Sequence, residues 1–412
     1  MAPVNPADDL PYLTGDLPGI GGRIKERFED FRVEELPLYE ACGEGTHVYF
    51  RVTKAGLPTP EAVHRIARHL GVGPREVGFA GLKDARAVTT QRMSVEHVDP
   101  GRIAAFRDAR IEVDLVGRHT NKLRPGHLRA NRFAIRIRGA GAAQLDAAGA
   151  ILDVLSRRGV PNYFGPQRFG ARGDTARLGE ALVRDDAEEF AARLLGRPLP
   201  DDPPDCKAAR DAFDVGTLDR ALKRWPRHYA TERKALAAFK KRRRAADVLR
   251  PVDKRMKRLY VSAFQSLIFN EILAARLEAL DRVLDGDFAQ KHENGAVFRV
   301  EDAAAEQPRA DRFEISPAGL VVGYRSTLAA GEPGRIEAAA LERHDVTPES
   351  FRHVGPLKPK GTRRALRFAP EGAALSAGRD THGEYLELTF TAPPGCYATA
   401  ALREIMKSEP NT

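Results

Sequence analysis

Residues 131–139, NRFAIRIRG, put Phe133, Ile135 and Ile137 on one side of an extended chain and Arg132, Arg136 and Arg138 on the other. A two-residue period of this kind describes a strand with one face in a core and one toward solvent. GTHVYFRVTKAG repeats it, with Val48, Phe50 and Val52 alternating with Tyr49 and Arg51, and TTQRMSVEHV (89–98) forms another extended run. Between these two lies a helix with marked ends. Thr59 is placed to cap it, Pro60 suits its first position and Gly71 its stop, while Val63, Ile66, Ala67 and Leu70 share one face. AAQLDAAGAILDVLSRRG reads as a second amphipathic helix, ended by Gly159. Strands and helices interleave without a regular βαβ beat. The expected fold class is therefore α+β, with a mixed, mostly antiparallel sheet flanked by helices.

The 412 residues allow two or three domains. Composition shifts near 185–205, where LGRPLPDDPPD forms a proline-rich, acidic connector. A mostly helical region follows, with FKKRRRAADVLRPVDKRMKRLY as its most basic stretch and Phe264, Leu267, Ile268 and Ile272 as an apolar stripe. After 285 short strands and turns return, and LKPKGTRRALRF (357–368) looks like a second crossover. EYLELTFTAPPGCYATAALREIMK reads as a closing strand, turn and helix.

Lys and Arg number 66 against 57 Asp and Glu, a formal charge of +9, which points to a polyanionic partner rather than to any fold. Three scattered cysteines, Cys42, Cys206 and Cys396, make neither a disulfide framework nor a zinc motif. GIGGRI lacks the third glycine of a dinucleotide fingerprint, no P-loop is present, and the eleven histidines contain no His-x-x-x-His pair. No cofactor and no metal are expected. Without a basic-then-apolar leader or an apolar run of about 20 residues, a soluble cytoplasmic protein is expected.

GFAGLKDARAVTTQ (78–91) holds one acid, Asp84, between Lys83 and Arg86 in a glycine-bearing bend. An acid in such a turn often only bonds nearby backbone N–H groups. Held between cations, it can instead serve as nucleophile or base on a substrate whose phosphates the basic surroundings retain. The run 240–258 reads as a phosphate-contacting surface that positions RNA or DNA without reading sequence. PNYFGPQRFG (161–170) is either an aromatic-pinned turn or a wall that stacks a flat ring while Asn162 or Gln167 offers its amide.

Taken together and in this order, IKERFEDFRVEE with GEGTHVYFRVTKAG, FAGLKDARAVTTQ, NYFGPQRFG, FQSLIFNEILAAR and PPGCYATAALRE resemble the motifs of the TruD family of tRNA pseudouridine synthases, from about residue 15 to 408. The resemblance implies isomerisation of uridine to pseudouridine in tRNA, typically at position 13, without cofactor or metal. It implies a V-shaped molecule: a pseudouridine-synthase catalytic domain, 1–187 and 361–412, interrupted by a family-specific α/β insertion, 188–360. It further implies Asp84 as the catalytic residue, with Asn162, Phe164, Phe31, Tyr397 and Lys25 in the substrate site. RNA would lie between the two arms of a monomer, with the basic helix on the insertion. A non-catalytic RNA-binding protein or chaperone with the same basic cleft is the rival reading.

If the Phe164 ring positions the target base, Phe164→Ala should lower turnover far more than melting temperature; comparable losses would mark a folding role.

Overall fold

The computed structural model describes residues 5–354 and 357–408. It forms two compact units: Thr14–Val160 together with Phe368 onward, and Pro161–Arg367 together with the residues before Thr14. The first unit opens with β1 (Phe31–Pro37), β2 (His47–Ala55), α1 (Thr59–Leu70), β3 (Gly78–Phe79), β4 (Val88–Glu96), α2 (Pro100–Ala104), β5 (Ile111–His119), β6 (Leu128–Arg138) and α3 (Leu145–Arg158). β1 runs parallel to β4 and antiparallel to β6, while β2 pairs antiparallel with both β4 and β5.

The chain leaves this unit through β7 (Val160–Pro161). The second unit contributes α4 (Thr175–Val183), α5 (Ala187–Leu195), α6 (Pro204–Asp214), α7 (Leu218–Arg224), α8 (Ala230–Arg242) and α9 (Lys254–Ala275). β8 (Phe288–Lys291), β9 (Val297–Arg299), α10 (Ala303–Asp311), β10 (Ile315–Val321), α11 (Gly331–Glu342) and β11 (Thr362–Ala365) complete it. Its four strands pair antiparallel in the order β11-β10-β8-β9. The chain returns through β12 (Arg367–Phe368) and ends the first unit with β13 (Glu371–Asp380), β14 (Gly383–Ala392) and α12 (Ala398–Met406). The large sheet then reads β13-β14-β6-β1-β4-β2-β5, with β3 beside β4. The architecture is α+β with a mixed, mostly antiparallel sheet.

The alternation seen in the sequence follows burial in β2 except at Tyr49, which lies on the phase expected to face solvent yet is fully buried, its hydroxyl donating to the Asn121 carbonyl and Oδ1 at 3.0 and 2.9 Å. Val48, Phe50 and Val52 of β2 are buried with Met93 and Val95 of β4 under Ala62, Val63, Ile66, Ala67 and Leu70 of α1. Gly71 ends α1 at φ 69°, a left-handed position that suits glycine. Two further local expectations change. The position before α1 belongs to Pro58, with no side-chain cap, and Thr59 starts the helix. Arg138 is not on a solvent face: it is buried and donates to Asp30 and to Asp380 at 2.5–2.9 Å. Hydrogen bonds from Arg138 hold the Asp380 carboxyl well below the usual range. A buried arginine is tolerable because carboxylates take up its donors.

The chain crosses between the two compact units at 160/161 and 367/368, whereas the domain bounds expected from sequence were 187/188 and 360/361. Two contacts explain this. α4 lies so close to α9 that a Cβ on Gly179 would collide with the Tyr260 carbonyl, so α4 packs with the inserted helices. The acidic connector is itself packed: buried Asp202 takes Arg172 at 2.8 Å, and Arg210 donates to the carbonyls of Arg193, Leu194 and Gly196 at 2.8–3.1 Å. Proline and acid content thus marked a structured corner. The core here is built on α9, whose Phe264, Leu267, Ile268 and Ile272 are all buried.

His344, after α11, ties this unit together by reaching Glu180 of α4 at 3.0 Å through Nδ1 and Glu271 of α9 at 2.9 Å through Nε2. Burial works against its charge, yet the two carboxylates outweigh it and raise its pKa to about 9. The folded state holds this proton more tightly than an unfolded chain titrating near 6.5. The stabilisation is therefore complete below pH 6.5 and is lost as pH rises to about 9. Urea unfolding should show wild type losing a few kcal/mol more than His344→Gln across that window.

Candidate active site

The loop joining β3 to β4 carries Asp84 and is held from below at Gly81, Lys83 and Asp84. Gln91 Nε2 on β4 donates to Gly81 O at 3.0 Å. Thr59 accepts the Lys83 N–H at 3.0 Å and donates to Gln91 Oε1 at 3.0 Å. The hydroxyl expected to cap α1 is used here instead. Lys83 turns into the unit and pairs with buried Glu35 of β1 at 2.8 Å, while Glu35 also accepts the Arg92 N–H at 3.1 Å. Lys54 of β2, 1% exposed, donates to the Asp84 carbonyl at 3.0 Å and to the Leu57 carbonyl at 2.5 Å. Burial pushes the Lys54 ammonium down to about 8, against the pull of the Asp84 charge.

The Asp84 carboxylate stands clear of this scaffold, its side chain 42% exposed. Its cation is neither sequence neighbour. Lys83 belongs to Glu35, and Arg86 donates to the Lys25 carbonyl at 3.4 Å. Buried Lys25 reaches Asp84 Oδ2 at 3.5 Å, with its Nζ 4.4 Å from the centroid of the Phe31 ring. Lys25 has φ 56°, a left-handed backbone that costs about 1–2 kcal/mol outside glycine. Phe31 is buried edge-on against Phe133, at 6.3 Å between centroids. Asp84, Lys25 and Phe31 are thus brought together. Tyr397 sits immediately before α12 and is 40% exposed. Leu82 is 69% exposed at the outer turn of the Asp84 loop.

Asn162 and Phe164 lie in the second unit and form their own cluster. Asn162 Nδ2 donates to Ala365 O at 2.9 Å, and its Oδ1 accepts from Arg364 at 2.5 Å. The amide is engaged within the protein. Phe164 is buried, clamped by reciprocal bonds between its backbone and the Asn270 amide at 2.8 and 2.9 Å. Arg364 and Arg168 approach its ring at 4.4 and 5.1 Å, and Phe269 meets it edge-on at 5.4 Å. Phe164→Ala would open a cavity worth about 3–5 kcal/mol. A fall in melting temperature is therefore expected with Phe164→Ala whatever happens to turnover, and Phe164→Leu, which leaves a smaller void, is the better probe of the ring's role.

Asp84 is thus a half-exposed carboxylate on a braced loop beside a buried lysine, and the chain has relatives of nearly the same length. The family model described as tRNA pseudouridine synthase D (TruD) matches residues 9–405. The chain belongs to the TruD family. This TruD family member is 44% identical to tRNA pseudouridine synthase D of Geotalea daltonii, over 97% of this chain and all of the relative. It is 44% identical to the protein of the same name from Geobacter sulfurreducens, over 98% of each chain. A crystal structure titled putative tRNA pseudouridine synthase D from Methanosarcina mazei superposes with a TM-score of 0.86 at 30% identity, covering 97% of this chain and 96% of that one.

In this TruD family member the sequence reading missed Lys54, Glu35, Thr59, Gln91 and Arg364. Two of these carried a signal. Lys54 falls in phase with Val48, Phe50 and Val52, and Glu35 in phase with Phe31 and Val33, so each places a charge on the buried face of its strand. The rest act across the fold from ordinary-looking positions. Among the described residues no group of three His, Cys, Asp or Glu is arranged to hold a metal ion, and no helix is long and apolar enough to cross a membrane.

Lys54→Met should leave the Asp84 and Leu57 carbonyls without their donor, lowering stability by about 1–3 kcal/mol. It should slow pseudouridine formation at saturating tRNA at least tenfold, about 1.4 kcal/mol in barrier, while tRNA affinity changes less than about twofold. Because folding depresses this pKa from 10.5 to about 8, wild type should gain stability relative to the variant as pH rises through that interval. Unfolding curves and single-turnover assays measure these effects.

Proposed function

We propose that this chain isomerises uridine to pseudouridine at position 13 of tRNA, with Asp84 as its catalytic carboxylate. The observation carrying the reading is the half-exposed Asp84 side chain, paired with buried Lys25 on a loop braced by Lys54, Thr59, Gln91 and the Lys83–Glu35 pair. Pseudouridine formation breaks the N1–C1′ bond, turns the uracil and joins C5 to C1′. A proton leaves C5 and one is gained at N1, so no atom is added or lost. A carboxylate beside the ribose assists either by attacking C1′ and being displaced again by C5, or by taking the C2′ proton and returning it. Both routes ask for a carboxylate whose position does not drift while the ring is detached, and a preorganised charge does that without reorganisation.

The target base has to leave its stack, at a few kcal/mol. Within the sheet unit Phe31 and Tyr397 are aromatic candidates for holding it and Lys25 for orienting the carboxylate; Phe164 and Asn162 are candidates carried by the other unit. In this reading the sheet unit supplies the chemistry and the inserted unit part of the RNA grip, in a cytoplasmic enzyme that works as a monomer.

Asp84→Asn should abolish pseudouridine formation, a loss of roughly a thousandfold or more, while unmodified tRNA still binds within about threefold of wild type. Chemical pseudouridine mapping of a tRNA transcript and equilibrium binding measure the two. A variant that isomerises at the wild-type rate would remove Asp84 from the mechanism and restore the binding-protein reading.

A further inference from the structure

Asp247 lies buried in the short turn Ala245–Leu249 that joins α8 to α9. Three guanidinium groups converge on its carboxylate, Arg242 and Arg244 at 3.5 Å and Arg250 at 3.4 Å. Arg242 is the last residue of α8, and Arg244 and Arg250 flank the turn, so the backbone itself delivers all three. The acid is beneath and the cations are outside, with side chains 48%, 64% and 66% exposed above a carboxylate that is 3% exposed.

This cluster is under-neutralised. Three cations against one carboxylate leave a local charge of +2. Each guanidinium has five N–H donors and one carboxylate about four acceptor positions, so most donors remain for something else. Nearby acids do not cancel the excess. Asp253 caps α9 by accepting the Met256 N–H at 2.8 Å, and Asp219 is engaged by Lys240. Gathering like charges is unfavourable in isolation and becomes favourable once an anion with several acceptor oxygens sits over them. A phosphodiester is such an anion, and guanidinium forks match it.

We propose that Asp247 gathers Arg242, Arg244 and Arg250 into a phosphodiester-binding site for the RNA backbone, carried by the inserted helices in addition to the Asp84 loop. The site positions the strand and reads no bases. It rests on the reading that the chain acts on tRNA, and it adds which residues of the insertion touch it.

The test is equilibrium binding of an unmodified tRNA transcript across roughly 50–300 mM monovalent salt, over which the Debye length shortens about 2.5-fold, with melting curves as a folding control. Arg242→Gln/Arg250→Gln should weaken binding about tenfold near 0.1 M salt and flatten the slope of log K against log salt by one to two. Arg242→Lys/Arg250→Lys keeps the charge and should keep most of the slope, which separates lost charge from lost structure. Wild-type affinity and slope in the Gln variant would overturn the proposal and make the cluster a solvated surface. Asp84→Asn in the same assay keeps the two readings apart. Full binding and slope there, with no pseudouridine formed, supports the tRNA reading whatever the arginines do. Wild type failing to bind tRNA at all would overturn both.

Discussion

A lysine ammonium closed off from water must have its donors met, or it becomes one of the costliest groups a fold can contain. Lys54 meets that demand with two main-chain carbonyls, and one of them is the carbonyl of Asp84. The consequence is mechanical. Moving the Asp84 loop away from the sheet would strand the ammonium, so the interior of β2 and the position of the carboxylate are one problem with one solution. The Lys83–Glu35 pair does the same from β1, as breaking it would leave an uncompensated buried charge. Burial below is what keeps the exposed acid above in place.

The two charged centres described here share a design with the signs exchanged. In the sheet unit, buried Lys25 presents an exposed carboxylate. In the inserted unit, buried Asp247 presents exposed guanidiniums. A buried counter-charge gives direction to a surface group that would otherwise sample many rotamers, and it reduces the entropy lost when a ligand arrives. Arg364 works in a related way by lying over the Phe164 ring while bonding the Asn162 amide, which ties two aromatic and amide candidates into one rigid piece.

What could be read from the sequence was whatever depends on local periodicity. β2, β4 and β6 follow from alternation, α1 and α3 from their apolar faces and glycine stops, and the loop bearing Asp84 from its glycine and its place between extended runs. What escaped was decided by partners far along the chain. Arg138 looked like a solvent-facing residue because its acids, Asp30 and Asp380, lie 108 and 242 positions away. Lys83 and Arg86 looked like the cations of Asp84 because they adjoin it, whereas the fold turns Lys83 to Glu35 and brings Lys25 from 59 positions upstream. The segment 196–202 likewise escaped: proline and acid suggested a linker, and Arg172 and Arg210 bond it into the inserted unit. Lys54 and Glu35 were legible, had charge on the inward phase of a strand been treated as a signal in its own right.

The interruption of the large sheet has a consequence for how the protein is made. β6 bonds to β14 across Arg136 and Glu387, a separation of 251 residues. When the ribosome has finished β6, the strand that will cover that edge has not been synthesised, and the whole inserted unit must emerge first. For that interval an edge containing Phe133, Ile135 and Ile137 is open to any passing strand. The arginines that alternate with them repel one another between copies, which is protection the growing chain carries before it has a fold.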